Sequence, residues 1–402
     1  MPALETMRVL DFTQWEAGPT CGQYLGWLGA DVVKLEAPRG DPGRAVFSDD
    51  GTDSQYFCNH NGNKRGLCLD LKSTDGAELL RRLLPRFDVL IENQGPGVIE
   101  RLGFGPDVLH EINPSLIIAR IKGFGLSGPY ADYKSFDPLA MAASGVTSMT
   151  GTAESGPLSP GGTFADTGTG IHAAFAIAAA YVQQQRTGEG QVIELSMHEV
   201  MTMFIRTLAS WSWGPEADPV GPRRDGAAPS GRWRCKPANG GEASHADYVF
   251  VTIASQALWA TFCQAIERPE LLDDERFARP RDRMANSREL RGLLAPWFAE
   301  RTKREIMTSL GEAGVPVSAA FDTAEVFTDP HLIARDFFAT LDHPTKGDLL
   351  VMKPPFRLSA SDVPVTRAPL VGEHTREILA AELDLTESTI DELVEKGAAV
   401  DG

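Results

Sequence analysis

In the stretch Gly161-Gly162-Thr163-Phe164-Ala165-Asp166-Thr167-Gly168-Thr169-Gly170, one carboxylate stands among glycines and hydroxyls ahead of an alanine-rich segment. The glycines predict a turn and the alanines a helix, which puts Asp166 just before a helix start. Backbone N–H groups and the positive end of the helix dipole would keep it ionised there and favour negative charge nearby. A carboxylate in that setting has three uses: capping the helix, taking a proton as a general base, or attacking an acyl carbon as a nucleophile. Capping is the default, and chemistry requires that other residues gather around it.

A second group of residues fits that requirement. Asn61, Asn63, Lys64 and Arg65, then Leu69-Asp70-Leu71-Lys72, then Glu92-Asn93-Gln94-Gly95-Pro96-Gly97 with Arg101, then Lys122-Gly123-Phe124-Gly125 all fall at expected strand ends and turns. Open α/β sheets bind ligands at the carboxyl ends of their strands. Each basic residue alone reads as solvated surface, but their clustering suits an extended, phosphate-bearing ligand. Other chemistries lose support. No strand is followed by Gly-x-Gly-x-x-Gly, and neither a Gly-x-x-x-x-Gly-Lys-Ser/Thr loop nor a Gly-x-Ser-x-Gly elbow occurs.

The elements that must position these residues follow from hydrophobic pattern. Strands are expected at Arg8–Phe12, Asp31–Glu36, Gly66–Leu71, Val89–Glu92, Ser115–Lys122, Val192–Leu195 and Tyr248–Ile253. Helices are expected from Ala17 to about Leu28, at about 75–86 and 106–112, from Gly168 to about Gln185, and, as a second long helix after the strand Val192–Leu195, to about Ser210. Alternation of apolar strands with helices predicts an α/β fold around an open parallel sheet covered on both faces. A chain of 402 residues suggests two or three domains of about 150 residues. A shift to Gly, Pro, Arg and Asp at 214–245 marks a crossing into a smaller unit. The expected division is 1–213, a smaller α+β domain at 214–330, and a return at 331–402.

Composition excludes several classes. A net charge of −17 opposes nonspecific binding to nucleic acid or anionic membranes. Five scattered cysteines without a Cys-x-x-Cys pair, and eight histidines without ligand spacing, predict reduced thiols and no metal site. The amino terminus lacks a basic region followed by an apolar one, and no run of about 18 apolar residues appears, so neither a signal peptide nor a membrane span is expected. A cytoplasmic location follows.

Several of these segments carry a resemblance. Val9-Leu10-Asp11-Phe12-Thr13, Ala17-Gly18-Pro19, Gly29–Glu36 and Gly40-Asp41 look like the opening of the class III coenzyme A transferases of CaiB/BaiF type. Asn63-Lys64-Arg65, Leu69-Asp70-Leu71-Lys72, Asp88–Gly97 with Arg101-Leu102-Gly103, Gly123-Phe124-Gly125, Arg186–Gln191 and Pro369–Thr375 extend it in order. Within the family the sequence is most similar to formyl-CoA:oxalate transferases. The resemblance implies CoA transfer between a small acyl-CoA and a carboxylic acid, with Asp166 as nucleophile passing through aspartyl anhydride and aspartyl thioester intermediates. It implies CoA contacts at Glu16, Ala17, Leu69, Asp70, Leu71, Lys72, Asn93, Gln94, Gly95, Arg101, Lys134, Phe136 and Met197. Lys72, Arg101 and Lys134 would meet phosphates. No tightly bound cofactor is implied, the CoA thioester being substrate. A Rossmann-like large domain built from both chain ends and an interlocked homodimer are implied as well.

Three departures are visible. Glu16 stands where formyl-CoA transferases have a substrate-positioning glutamine, and Ala37 where they have an arginine, with Arg39 close by. Arg223–Gly231 occupies the region of their glycine-rich active-site loop. The alternatives are an α-methylacyl-CoA racemase, which would need a histidine where Phe136 stands, or a non-catalytic CoA-binding subunit. His172 reads as a helix-surface or interface residue.

Overall fold

The computed structural model describes residues 1–48, 53–210, 212–221, 228–238 and 244–402. By contacts the chain divides into two units: Met1–Pro222 with Asp336–Gly402, and Arg223–Arg335.

In the first unit, strands β1 (Arg8–Phe12), β2 (Asp31–Glu36), β3 (Lys64–Leu69), β4 (Val89–Glu92) and β5 (Ile117–Lys122) are followed by a two-residue pair, β6 (Gly151–Thr152) and β7 (Gly156–Pro157), and by β8 (Gln191–Ser196). The second unit holds β9 (Gly231–Arg234), β10 (Tyr248–Val251) and β11 (Val317–Ala319). The chain then returns with β12 (Phe338–His343), β13 (Gly347–Met352) and β14 (Ala399–Val400).

The large sheet runs β14-β3-β2-β1-β4-β5-β8. All its pairings are parallel except that of β14, which lies antiparallel on β3. Its strands are apolar because both faces are covered. Consecutive residues of β1 point to opposite sides, so Val9 joins one core and Leu10 the other. The Val9 side is covered by helices Ala17–Trp27 and Phe164–Thr187, and the Leu10 side by helices Thr74–Leu83, Thr375–Leu383 and Glu387–Glu395. The order reverses on either side of β1, and the resulting crevice between the carboxyl ends of β1 and β4 is the natural ligand site.

The second unit pairs the antiparallel sheet β11-β10-β9 with helices around its own aromatic core. Trp233 stacks on Phe298 there, with ring centroids 4.4 Å apart.

Several elements differ from expectation for local reasons. Strand β3 lies two residues earlier than the sequence suggests. Asn63 turns the chain at a left-handed φ of 60°, and Asp70 starts the next turn by accepting the Lys72 N–H. Pro85 ends the helix Thr74–Leu83 and leaves a short 3-10 turn at Leu84–Arg86. The helix expected from Gly168 begins at Phe164, so Asp166 lies inside its first turn rather than ahead of it. Of the segment Arg223–Gly231, residues 223–227 lie outside the described residues. Among the described residues, no helix is long and apolar enough to cross a membrane.

Long-range contacts tie the returning tail to the sheet. Asn63 donates to the Pro364 carbonyl at 2.8 Å and accepts from the Thr366 N–H at 3.0 Å, while the Gly66 N–H meets His374 Nδ1 at 3.1 Å. Beneath the crevice, Lys64 Nζ lies 2.8 Å from Asp11 Oδ2 with both side chains fully buried, and also donates to the Pro19 carbonyl and Asn61 Oδ1. Burial works against the Asp11 charge, but Lys64 and Lys34 outweigh it and hold its carboxyl below the usual range. Gly22 is required beside this pair, since a Cβ there would sit 2.5 Å from Asp11 Oδ2.

Lys64→Met is therefore expected to destabilise the fold by about 3–5 kcal/mol, because it strands a buried carboxylate. Lys64→Met with Asp11→Leu should recover part of that loss in urea denaturation. Additive losses in the double variant would show that the pair is not coupled.

Candidate active site

The crevice is laced across the switch point. The Gln14 N–H donates to Asn93 Oδ1 at 2.9 Å, and Asn93 Nδ2 returns a bond to the Gln14 carbonyl at 2.7 Å. Below them Glu92 accepts from Arg120 Nε and Lys122 Nζ, both at 2.7 Å, and from the Gln94 N–H at 2.9 Å. Lys122 also donates to the Gln94 carbonyl at 2.6 Å, so the turn after β4 is held from beneath. On the other side Trp15 takes a left-handed φ of 65°, its N–H on Asp41 Oδ1 at 3.1 Å. Lys34 holds Asp41 at 2.8 Å. A non-glycine residue in that conformation needs such anchoring. Its ring meets Phe136 edge-on at 6.0 Å.

This crevice encloses about 250 Å³, and Asp166 lines it. Two other carboxylates bracket Asp166. Asp137 Oδ1 accepts the N–H groups of Ala165 at 2.7 Å and of Asp166 at 3.1 Å, capping the helix from a distant segment. Glu16, 2% exposed, accepts the hydroxyls of Thr163 and, at 2.8 Å, of Thr167. Thr163 and Thr167 are four residues apart, on one face of the helix start, and so grip the same oxygen on either side of Asp166.

The expectation of a readily ionised Asp166 is overturned by this arrangement. The first helical N–H groups are taken by Asp137, not left to Asp166. Burial, Glu16 and Asp137, in that order, push the Asp166 carboxyl up to about 7. Burial raises Glu16 as well, against the two threonine bonds, and raises Asp137.

Behind Glu16 sits His60, whose Nε2 is 3.8 Å from Glu16 Oε2 and whose Nδ1 is 3.2 Å from Thr20 Oγ1. Burial and Lys64 bring its pKa down to about 4, so it is neutral at physiological pH. Tyr56 packs on His60 at 5.1 Å, and burial together with the Glu16 and Asp166 charges pushes its phenol pKa well up.

Of the residues singled out from the sequence, Ala17, Asn93, Gln94, Gly95, Lys134, Phe136 and Met197 line the crevice together with Asp166. Leu69, Asp70, Leu71 and Lys72 line a neighbouring recess of about 180 Å³ with Ala37 and Arg39, and Gln14 and Gln94 border both spaces. Arg101 borders neither. It is exposed, its guanidinium 3.4 Å from the Pro96 carbonyl. Glu16 lies behind the lining. Leu69 is also a core residue, and Met197 packs with Ala140, Met141, Ala165 and Met201. His172 is exposed, its Nδ1 on the Gly168 carbonyl of its own helix at 2.7 Å and its ring against Phe204. Sequence reasoning missed Asp137, Tyr56, His60 and the paired threonines. Only the Thr163/Thr167 spacing around Asp166 was a usable signal.

Residues 4–375 match the sequence profile of CoA-transferase family III. The chain is 39% identical over 409 residues to a formyl-CoA:oxalate CoA-transferase of Streptomyces avermitilis, covering 98% of this chain and 99% of the relative. A protein of the same description from Bradyrhizobium sp. is 37% identical over 417 residues, covering 98% and 97%. A CAIB/BAIF family protein from Brucella suis superposes with a TM-score of 0.81 at 29% identity, over 95% of this chain and 99% of that one. A protein from Mycobacterium tuberculosis gives 0.81 at 30% identity, over 94% and 99%. The chain belongs to CoA-transferase family III and is an enzyme that transfers coenzyme A.

Proposed function

We propose that this enzyme moves CoA between a small acyl-CoA thioester and a carboxylic acid, with Asp166 as the group that carries the acyl and CoA moieties in turn. The observation that carries this reading is the crowding of Asp166 by Glu16 and Asp137 at the edge of a crevice. An anion destabilised in that way gains when its charge is removed, and acylation removes the charge as protonation does.

The steps balance without any further reactant. The Asp166 carboxylate adds to the thioester carbonyl, the C–S bond breaks, and an anhydride and CoA thiolate result. The thiolate attacks the aspartyl carbonyl, releasing the donor acid as a carboxylate and leaving an aspartyl thioester. The acceptor carboxylate then attacks that thioester and expels CoA thiolate. The thiolate attacks the acceptor's acyl carbon, forming the new acyl-CoA and restoring Asp166. Covalent relay divides one difficult exchange into near-isoenergetic steps.

The CoA moiety suits the two adjoining spaces, since Gln14 and Gln94 border both and a long thin ligand can span them. In this reading Glu16 supports Asp166 from behind, Ala17, Gly95, Phe136 and Met197 form the walls, and Lys72, Arg101 and Lys134 meet phosphates. Proton abstraction of the racemase type finds Phe136 where a base is required. Five buried free thiols suit a reducing, cytoplasmic setting. A homodimer is part of the proposal, because Ile171, Phe175 and Val182 on one helix and Met203 and Phe204 on another are exposed in the single chain.

Each of these points is open to direct measurement. Asp166→Asn should abolish transfer, and mass spectrometry of wild type incubated with acyl-CoA alone should find an adduct on Asp166; turnover by the variant would end the proposal. The folded protein holds the Asp166 proton more tightly than the unfolded chain does. Rising pH therefore removes stability between about 4 and about 7, and Asp166→Asn should be more stable than wild type by about 1–3 kcal/mol at pH 8 but nearly equal at pH 4. Neutralising Lys72, Arg101 or Lys134 should raise KM for the CoA ester by the equivalent of about 1–2 kcal/mol each and leave that of the acceptor unchanged. Wild-type KM in all three would remove these residues from the phosphate site. Light scattering should give twice the chain mass; a monomer would refute the dimer.

A further inference from the structure

The surroundings of Asp166 also bear on which acids can be used, an inference that rests on the transferase reading above. Two carboxylates are locked beside Asp166 by bonds that leave them little freedom. Glu16 is gripped by Thr163 and Thr167, and Asp137 by two N–H groups of the helix start. Among the described residues, the buried cations around the crevice are committed elsewhere. Lys122 and Arg120 are on Glu92, Lys64 is on Asp11, Lys34 is on Asp41, and Arg44 is on Glu36. Among the described residues, the crevice lining contains two cations, Lys122 and Lys134, and the second is exposed. Apart from Asp166 itself, the rest of the lining is uncharged, with Trp15, Phe136 and Met197 beside the polar side chains of Gln14, Asn93 and Gln94, and neutral His60 sits behind Glu16.

An acceptor must bring one carboxylate to the aspartyl thioester, where its oxygen forms the new C–O bond as the C–S bond breaks and CoA thiolate departs. The remainder of the acceptor then lies among these groups. A second carboxylate there feels the two fixed like charges behind the lining, while Lys122 is held by Glu92 and Lys134 lies exposed. An uncharged remainder meets aromatic, thioether and neutral amide groups instead.

We propose that Glu16 and Asp137 select the acyl groups of this enzyme, admitting monocarboxylic acids with an uncharged remainder and turning away dicarboxylates. Glu16, behind the lining, is a positioning residue in this scheme, acting through the two threonines and through its charge on Asp166.

The test uses the full-length enzyme with acetyl-CoA and propionyl-CoA as donors and acceptors matched in length: propionate against malonate, and butyrate against succinate, with oxalate as the shortest dianion. Product thioesters are separated and quantified. For wild type, kcat/KM is expected to be at least tenfold higher for each monocarboxylate than for its matched dicarboxylate. Glu16→Gln keeps a carbonyl acceptor for the threonines and should narrow that ratio at least threefold. It should also move the acidic limb of the pH profile of kcat/KM to lower pH, a change that a purely structural role would not produce. Asp137→Asn retains an oxygen for the two N–H groups and should narrow the ratio in the same direction. Equal or better use of dicarboxylates by wild type overturns the inference while leaving the transferase reading intact, and needs no variant to fold. Unchanged ratios in both folded variants overturn it too. Failure to form any new thioester from either donor overturns the transferase reading and this inference with it.

Discussion

Three carboxylates within reach of one helix start form an arrangement that would not arise by default, and the proposed chemistry depends on it. Like charges at close range in a partly desolvated site raise the free energy of the ionised state. Asp137 and Glu16 are both secured by hydrogen bonds, so neither can swing away to relieve the repulsion. Asp166 is left as the member of the trio that gains most from losing its charge. In the proposed mechanism, the same crowding that pushes its pKa to about 7 favours a neutral acyl adduct on it. On the proposed function, stability is given up locally in exchange for reactivity, which is the usual relation between active sites and their scaffolds.

That crowding sits in a frame braced by buried charge pairs. The carboxyl ends of β1, β2 and β4 are each braced by a buried ion pair or network: Asp11 with Lys64, Lys34 with Asp41, and Glu92 with Arg120 and Lys122. Replaced by apolar residues, such pairs would cost the fold little. What they supply here is direction. They fix the turns at Gln14–Trp15 and Asn93–Gln94, which border the crevice, and they tie up most of the positive charge that would otherwise neutralise the acidic cluster.

Much of this was legible in the chain. The parallel sheet followed from short apolar strands alternating with helices, and β1, β2 and β4 from their apolar residues, with the bounds the structure shows. Asp166 stood out because its glycine and threonine neighbours are unusual beside an alanine-rich helix. Its protonation behaviour was not legible, because it depends on Glu16 and Asp137, which lie 150 and 29 residues away in sequence. Local propensity placed the helix start at Gly168, whereas a cap supplied by Asp137 from another segment extends the helix back to Phe164. Tyr56 and His60 gave no signal either, since nothing in their own segment points toward the crevice. Residues acquired through tertiary contact are the ones that pattern reading misses.

The return of residues 336–402 to the first unit has a consequence for the order in which the protein can form. Strand β3 leads into Leu69–Lys72, yet its outer edge is met by residues from the end of the chain, His374, Thr375 and β14 at Ala399–Val400, and Asn63 depends on Pro364 and Thr366 for its bonds. During synthesis, that edge stays open while more than three hundred further residues emerge, including the whole of the second unit. An open parallel edge of this kind is a template for intermolecular pairing. The second unit, whose strands and aromatic core lie within one continuous stretch, can condense while the larger sheet is still waiting for its last strand. Nascent chains of this topology thus carry their vulnerable surface longest at the strand that leads to one of the ligand recesses.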